Sequence, residues 1–426
     1  MQIIYNMVDM VVVGNVDGST GLSAVAIGGD VTNFLTFVAM GFANAGQVII
    51  SQYIGADQKE KVGKFIGTLV SFLLCFAVVF GSVCLLLRIP ILKWMNTPAE
   101  SWDDALSYST TCIAGLIFIY GYNSISAILR GVGDSKHPFL FISIAAIINI
   151  LLDIFFVAGL KMRAFGAALA TVMSQAISFI WAVVFLYRHR ERLGFKFKVG
   201  YLKINPALLM ILVRLGVPMA IKSASIQFSR LFVNSWINSY GVIVSAVAGI
   251  SNKLNKISNL FSNSMNAAGS SMVGQNIGAE KYRRVSRIVF VVFIINIIIS
   301  SVMALALIIF PAQIFGIFTS DKSILGVAKE FLPIGVLIFF ASAFRSPMNA
   351  LMNGSGNYKI NFVVALLDGF IIRIGGALLL GIALNLGYMG FWYGDALASF
   401  TPFVIGLVYY ISGGWKTTRY VIEETN

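Results

Sequence analysis

Apolar runs about twenty residues long recur along the chain, and they restrict its fold more than any other feature. Residues 65–87, 139–160 and 288–310 are three of these runs. This length crosses the hydrocarbon core of a bilayer as an α-helix, which satisfies its backbone hydrogen bonds within the segment. The runs lack the alternation of a membrane β-barrel strand. With 58% hydrophobic and only 12% charged residues, the chain is predicted to be an all-α polytopic membrane protein.

About twelve transmembrane helices are predicted from these runs and the segments between them. The predicted helices lie at 1–14, 24–53, 65–87, 106–130, 139–160, 164–187, 207–240, 243–273, 286–310, 327–352, 359–383 and 388–412. The second, seventh and eighth are less apolar and contain many Asn, Ser and Gly residues. Such helices typically face other helices or a water-filled cavity rather than lipid.

The formal net charge of +13 is concentrated in short loops, a pattern that sets orientation in polytopic proteins and is not typical of nucleic-acid binding. Loops after even-numbered helices hold most of the Lys and Arg residues. Both termini are therefore predicted to be cytoplasmic. The longest basic stretch, 188–206, is predicted to contact anionic lipid headgroups, and the cytoplasmic linker is predicted at 191–206 within it.

An internal repeat divides the chain into two related halves. Residues 51–57 match 274–280 and residues 130–136 match 353–359 at a shift of 223, and 23–26 match 245–248 at a shift of 222. The predicted organisation is an N-terminal half at 1–190, the linker at 191–206 and a C-terminal half at 207–426. Six helices per half give both halves the same orientation. Such parallel repeats place a substrate between the halves.

The repeat also predicts that the first helix is truncated. The seventh helix starts near Asn205, and the matching start in the first half falls roughly twenty residues before Met1. The sequence begins directly with apolar residues and has no basic segment or cleavage site typical of a secretory signal.

Five short motifs resemble those of the multidrug and toxic compound extrusion (MATE) family, prokaryotic DinF-like branch. They lie at residues 2–9 followed by 13–14, and at 22–25, 52–56, 130–134 and 216–218. The resemblance covers nearly the whole chain. It implies a bacterial inner-membrane antiporter with two six-helix lobes that exports organic cations in exchange for H⁺ or Na⁺. The predicted protein is a monomer that needs no cofactor and binds a small molecule and lipid, but no nucleic acid.

Two carboxylates inside predicted helices of the first half are candidates for ion coupling, because a charge placed in a membrane is costly. They are Asp9 and Asp153. Asn149 lies four residues before Asp153 and Thr171 lies four residues before Gln175, so each pair shares a helix face. Carboxylate, amide and hydroxyl oxygens suit Na⁺ or a shared proton. The resemblance implies a cation site of Asp9, Asn149, Asp153 and Thr171, although Asn149 and Asp153 could instead serve a polar contact between helices.

The second half lacks the acidic residues that some family branches carry in helices seven and ten. Basic and amide side chains are the candidates for lining its cavity, together with Gln175 of the first half: Lys222, Gln227, Arg230 and Lys256. If these cations line the cavity, an anionic or zwitterionic substrate is favoured. Asp368 and Arg373 are five residues apart, which predicts that they are not good partners within one α-helix.

Three functions remain open at this point. The first is a secondary antiporter for drugs or other small amphipathic molecules, working by alternating access. The second is a flippase for a lipid-linked precursor or a polysaccharide unit, although such proteins usually have longer chains. The third is a channel or a receptor-like structural protein, which would not couple an ion gradient to a substrate. An enzyme is not expected, because the sequence has no metal-ligand cluster, phosphate loop or catalytic triad.

Overall fold

The computed structural model describes residues 2–95, 97–189, 193, 195, 198–317 and 322–416. Most of them lie in helices, and no strand occurs among them. The first half contains α1 (Gln2–Gly55), α2 (Lys59–Leu86), α3 (Arg88–Trp94), α4 (Trp102–Ala114), α5 (Leu116–Val132), α6 (Lys136–Asp153), the π-helix π1 (Ile154–Gly159) and α7 (Arg163–His189). The second half contains α8 (Pro206–Asn238), α9 (Val242–Gly278), α10 (Tyr282–Ile309), α11 (Pro311–Gly316), α12 (Lys322–Gly354), α13 (Tyr358–Leu366), π2 (Leu367–Ile372), α14 (Arg373–Leu378), π3 (Leu379–Ala383), α15 (Gly387–Ala398) and α16 (Thr401–Ser412). Short 3₁₀ segments lie at Ala99–Ser101, Val199–Tyr201 and Gly414–Lys416.

Nine helices in the described part of the chain are long and apolar enough to span a membrane, or ten if the bent pair α4–α5 counts as one span. The two remaining segments of the predicted twelve are the part of α1 before Gly18 and helix α9. Helix α9 was expected to be less apolar because of its Asn, Ser and Gly residues, and it is not among these spans. Helix four was predicted as one span at 106–130, whereas the structure bends it by 46° between α4 and α5.

Glycine separates the first two spans, which were predicted as distinct helices and run together as α1. Gly18 has φ 67° and ψ −153°, a conformation outside the helical region that only glycine adopts without strain. The matching Gly241, at φ 108°, lies at the start of α9. Arg163 stabilises the chain next to the helix break at Gly18, because its guanidinium forms ion pairs with Asp17 at 2.8 Å and with Asp104 at 2.8 Å.

Backbone geometry repeats through the two halves as the sequence motifs do. Three pairs of residues with positive φ are separated by 223 positions: Gly18 and Gly241, Asp57 and Glu280, and Gly133 and Gly356. Further along the chain, two more pairs with positive φ are separated by 224 positions: Lys161 and Asn385, and Arg163 and Gly387. One additional residue has therefore entered the second half between Gly356 and Asn385.

The extra residue is accommodated by π2. Helix α6 continues regularly to a single π segment, π1, whereas the matching stretch of the second half contains π2 and later π3. A π-turn absorbs one inserted residue without ending the helix. Beyond π2, residues of the two halves therefore correspond at a shift of 224.

The chain divides into two compact units. The first contains residues 1–50 and 58–213, and the second contains 51–57 and 214–426. The linker and the orientation of the termini stay predictions, because residues 190–192, 194, 196, 197 and 417–426 lie outside the described part. The core of the first unit packs Val13, Tyr108 and Val157 against small alanines of α7, and that of the second is built around Phe331, Phe391 and Trp392.

Residues 51–57 join the second unit through a reciprocal contact between the repeated motifs. A Cβ on Gly55 would lie 1.9 Å from the carbonyl oxygen of Gln275, and a Cβ on Gly278 would lie 2.2 Å from that of Gln52. The Gln52 amide also donates a hydrogen bond to the carbonyl of Gly354 at 2.9 Å. The glycines of these motifs therefore allow two helix ends to pack backbone against backbone.

Candidate functional site

Two carboxyl groups meet in the interior of the first unit. Asp9 comes from α1 before its break, and Asp153 is the last residue of α6, where the helix passes into π1. Both residues are 0% exposed. The two carboxyl groups are close enough to interact, so one proton could be shared between them.

Neighbouring helices supply hydrogen-bond donors to one oxygen of this carboxyl pair. The hydroxyl of Tyr108 on α4 donates to Asp9 Oδ2 at 3.1 Å, and that of Thr171 on α7 donates to the same atom at 3.0 Å. The Asn149 amide donates to the Thr171 hydroxyl at 3.4 Å. Four helices thus converge on Asp9.

The remaining oxygens of the site have no donor. Asp9 Oδ1, Asn149 Oδ1 and both carboxyl oxygens of Asp153 are buried and lack a hydrogen-bond partner among the described residues. Buried polar atoms in native proteins are nearly always satisfied. A proton on the carboxyl pair, or a hard cation held by oxygens, would satisfy several of them together. This cluster of unpaired acceptors is the strongest indication of a binding site in the first unit.

The structure brings together the four residues of the cation site implied by the resemblance. Their role as cation ligands stays a prediction. Gln175, a candidate for lining the cavity, is buried one turn beyond Thr171 on α7. The sequence reasoning missed Tyr108, which is 1% exposed. A signal was available, because Tyr108 lies in a polar stretch of a predicted span, but nothing local showed that this stretch faces Asp9.

Gly28 makes room for Tyr108. A Cβ at Gly28 would lie 2.4 Å from Cδ1 of the Tyr108 ring, closer than any side chain can pack. We expect Gly28→Ala to displace the ring and remove its hydrogen bond to Asp9. A bond from a hydroxyl to a charged group contributes about 1.5–3 kcal/mol, so coupled transport in vesicles should fall about tenfold.

The matched variants for Gly28→Ala are Tyr108→Phe and Gly200→Ala. Tyr108→Phe removes the same hydroxyl without crowding and should reproduce the loss. Gly200 has no atom within 4 Å of the position that an added Cβ would take, so its alanine variant should transport normally. Normal transport by Tyr108→Phe would show that this hydrogen bond is unimportant for coupling.

The corresponding position in the second unit is occupied by an arginine. At the shift of 224, Arg373 matches Asn149 and Asp395 matches Thr171. Arg373 is 0% exposed, and its guanidinium pairs with Asp395 and, at 2.6 Å, with Asp368. It also contacts the Ser399 hydroxyl at 3.3 Å, and Ser399 in turn matches Gln175. An ion-pair cluster thus stands where the first unit has its carboxyl pair.

The expectation that Asp368 and Arg373 are poor partners was wrong. It assumed α-helical geometry, in which residues five apart do not share a face. The π-helix π2 covers Leu367–Ile372, and its wider turn brings residues five apart onto one face. The resulting ion pair is buried at both ends.

Other predicted residues of the second half differ in their exposure. Lys222 is 9% exposed, and its ammonium donates to amide oxygens of Asn349 at 2.8 Å and Asn361 at 3.2 Å. Arg230 is half-buried, and its Nε has no hydrogen-bond partner among the described residues. Gln227 and Lys256 are exposed on the surface of the chain. Their assignment to a cavity wall stays a prediction.

Comparison with known proteins supplies the family. The family model described as MatE matches residues 1–155 and 218–386. The chain is 27% identical to YoeA of Bacillus subtilis, a probable multidrug resistance protein, over 98% of this chain and 91% of that protein. It is 26% identical to YpnP of the same species, also a probable multidrug resistance protein, over 100% of this chain and 94% of that protein.

Solved structures share the fold. A MOP superfamily transporter from Pyrococcus furiosus, described as having a binding pocket of reverse polarity that suggests a different function, has a TM-score of 0.90 at 21% identity, over 98% of this chain and 93% of that chain. A crystal structure of MATE in the bent conformation gives 0.88 at 20% identity, over 97% and 92%. The predicted fold, about twelve transmembrane helices in two six-helix repeats, is confirmed by these matches.

Proposed function

The chain belongs to the MatE family of membrane transporters, and from this premise we propose that it is a secondary antiporter exchanging small amphipathic organic molecules for H⁺ or Na⁺. Ion coupling is assigned to Asp9 and Asp153, with Asn149, Thr171 and Tyr108 supporting them. The observation that carries the proposal is the buried carboxyl pair with its unpaired oxygens. In this scheme the protein is a multi-pass protein of the bacterial cytoplasmic membrane with cytoplasmic termini.

The carboxyl pair is suited to coupling because its occupancy would change the charge of the membrane interior. Empty, it holds negative charge among apolar side chains; occupied by a proton or Na⁺, much of that charge is neutralised. Each unit of pH gradient would supply about 1.4 kcal/mol, and each 100 mV about 2.3 kcal/mol per charge. Alternating access between two parallel repeats would then convert ion entry into export of the substrate.

A second candidate concerns the charge of the substrate. The relative from Pyrococcus furiosus is described as having a binding pocket of reverse polarity, and the second unit of this chain buries Arg373 and Lys222. These cations favour an anionic or zwitterionic substrate over the organic cations implied by the family resemblance. The flippase alternative has no comparable support.

The test uses purified protein in phospholipid vesicles with a pH gradient or a Na⁺ gradient imposed separately. Movement of cationic ethidium and of anionic carboxyfluorescein is followed by fluorescence. We expect at least one dye to move against its own gradient when one of the two ions flows downhill, and collapse of that ion gradient by an ionophore to stop it. Movement that followed neither ion gradient would contradict antiport and favour a channel.

A further inference from the structure

The ion-pair cluster of the second unit carries more positive than negative charge. Four cationic side chains, Lys222, Arg230, Arg345 and Arg373, lie within electrostatic range of two carboxylates, Asp368 and Asp395. Arg373 engages both carboxylates directly. The other three cations have no carboxylate of their own within salt-bridge distance in the described residues, which leaves an excess of two positive charges.

The excess cations are held by neutral groups. Lys222 donates to two amide oxygens, and a guanidinium nitrogen of Arg345 donates to the amide oxygen of Asn259. Amide oxygens satisfy hydrogen bonds but do not neutralise charge. Lys222 is buried, and Arg230 and Arg345 are half-buried. A charge held away from water without a counter-ion is unfavourable, so an anion would stabilise these cations.

Unpaired hydrogen-bond donors are available for such an anion. The Nε–H groups of Arg230 and of fully buried Arg373 have no partner among the described residues. A small cavity of about 20 Å³, with room for about one water molecule, adjoins the cluster at Asp395 and is lined by Asn234, Ser251 and Asn255. Guanidinium groups bind planar carboxylates and phosphates in bidentate fashion. The chemistry of the cluster is therefore that of an anion site.

We propose that Arg230, Arg345 and Arg373 form a binding site for the carboxylate or phosphate group of an amphipathic anion. Resting on the proposed function, this inference makes the transported molecule one with an acidic head and an apolar body. The same phosphate chemistry also occurs in anionic lipid headgroups. The two units would thus divide the work at matched positions, with cation coupling in the first and anion recognition in the second.

Binding of carboxyfluorescein to purified protein in nanodiscs of neutral phosphatidylcholine tests the site without requiring transport. Arg230→Gln should weaken binding about tenfold or more, because a charge-assisted hydrogen bond is lost. Arg230→Lys should retain part of the affinity, and ethidium binding should not weaken. The control is Arg283→Gln, which removes an exposed arginine of α10 and should bind as wild type.

Nanodiscs containing phosphatidylglycerol distinguish the two sources of anion. Competition by this lipid in wild type, absent in Arg230→Gln, would assign the site to a lipid headgroup; no competition would assign it to a free substrate. If Arg230→Gln unfolds, Arg345→Gln serves in its place. Undiminished dye binding in a folded variant, or equal loss in Arg283→Gln, would overturn the anion site. A failure of ion-driven transport with intact, Arg230-dependent binding would overturn only the antiport proposal.

Discussion

Asp153→Asn should reduce ion-driven transport to the level of empty vesicles while leaving the protein folded. Asparagine has nearly the same shape as aspartate, but it can neither take up a proton nor contribute negative charge to a Na⁺ site. The carboxyl pair would then lose one of its two titratable members, and Asp9 alone could not couple through a shared proton. The measurement is the initial rate of dye movement in vesicles under an imposed pH or Na⁺ gradient.

A folded Asp153→Asn protein is expected because the side chain accepts no hydrogen bond from the described residues. Removing a buried carboxyl group without a donor should leave the melting temperature unchanged or raise it. Asp103→Asn is the matched control, since Asp103 is exposed at the start of α4 and should transport normally. Coupled transport by Asp153→Asn at the wild-type rate would contradict the assignment of ion coupling to Asp9 and Asp153.

Gly278→Ala should lower the melting temperature by about 5–10 °C. The added methyl group would lie 2.2 Å from the carbonyl oxygen of Gln52, and a backbone atom cannot rotate away as a flexible side chain can. Overpacking of this kind costs about 1–3 kcal/mol or more, and each kcal/mol shifts the melting temperature by a few degrees in a protein of this size. Gly55→Ala, at 1.9 Å from the Gln275 carbonyl, should have an equal or larger effect.

The same helix provides the control for this second prediction. Gly249 lies in α9 with no atom within 4 Å of the position its Cβ would take. Gly249→Ala should therefore keep or raise the melting temperature, because alanine favours the helix by up to about 1 kcal/mol. Thermal unfolding in detergent compares the variants directly. Similar melting temperatures for Gly278→Ala and Gly249→Ala would contradict this prediction, because they would mean that the backbone near Gln52 moves away from the added methyl group without loss of stability.

Hydropathy and repetition predicted most of the fold, because both are carried by local residue types. Apolar runs located the spans, and paired glycine motifs revealed the two halves. The π-helices were not predictable in this way, since an extra residue in a helical turn leaves the apolar pattern of a membrane span almost unchanged. The error over Asp368 and Arg373 followed directly, because their pairing depends on π2.

Only part of the candidate site was accessible from sequence. Asp9 and Asp153 stand out because acids are rare in apolar spans, and spacing placed Asn149 on the face of Asp153. Tyr108 could not be assigned, because its contact with Asp9 joins residues 99 positions apart and depends on how α4 packs. The space that Gly28 leaves for the Tyr108 ring is equally a property of packing.

The extra residue in π2 bears on how duplicated halves of a chain can diverge. In a regular helix, one inserted residue would rotate everything beyond it by about 100° and would turn the following side chains toward the wrong neighbours. When the insertion is confined to a π-turn, the later helices of the second half keep the register of the first half. The positive φ angles shared by Arg163 and Gly387 are evidence of this register. After a gene duplication, one of the two copies could therefore gain a buried arginine while the helices around it keep their positions.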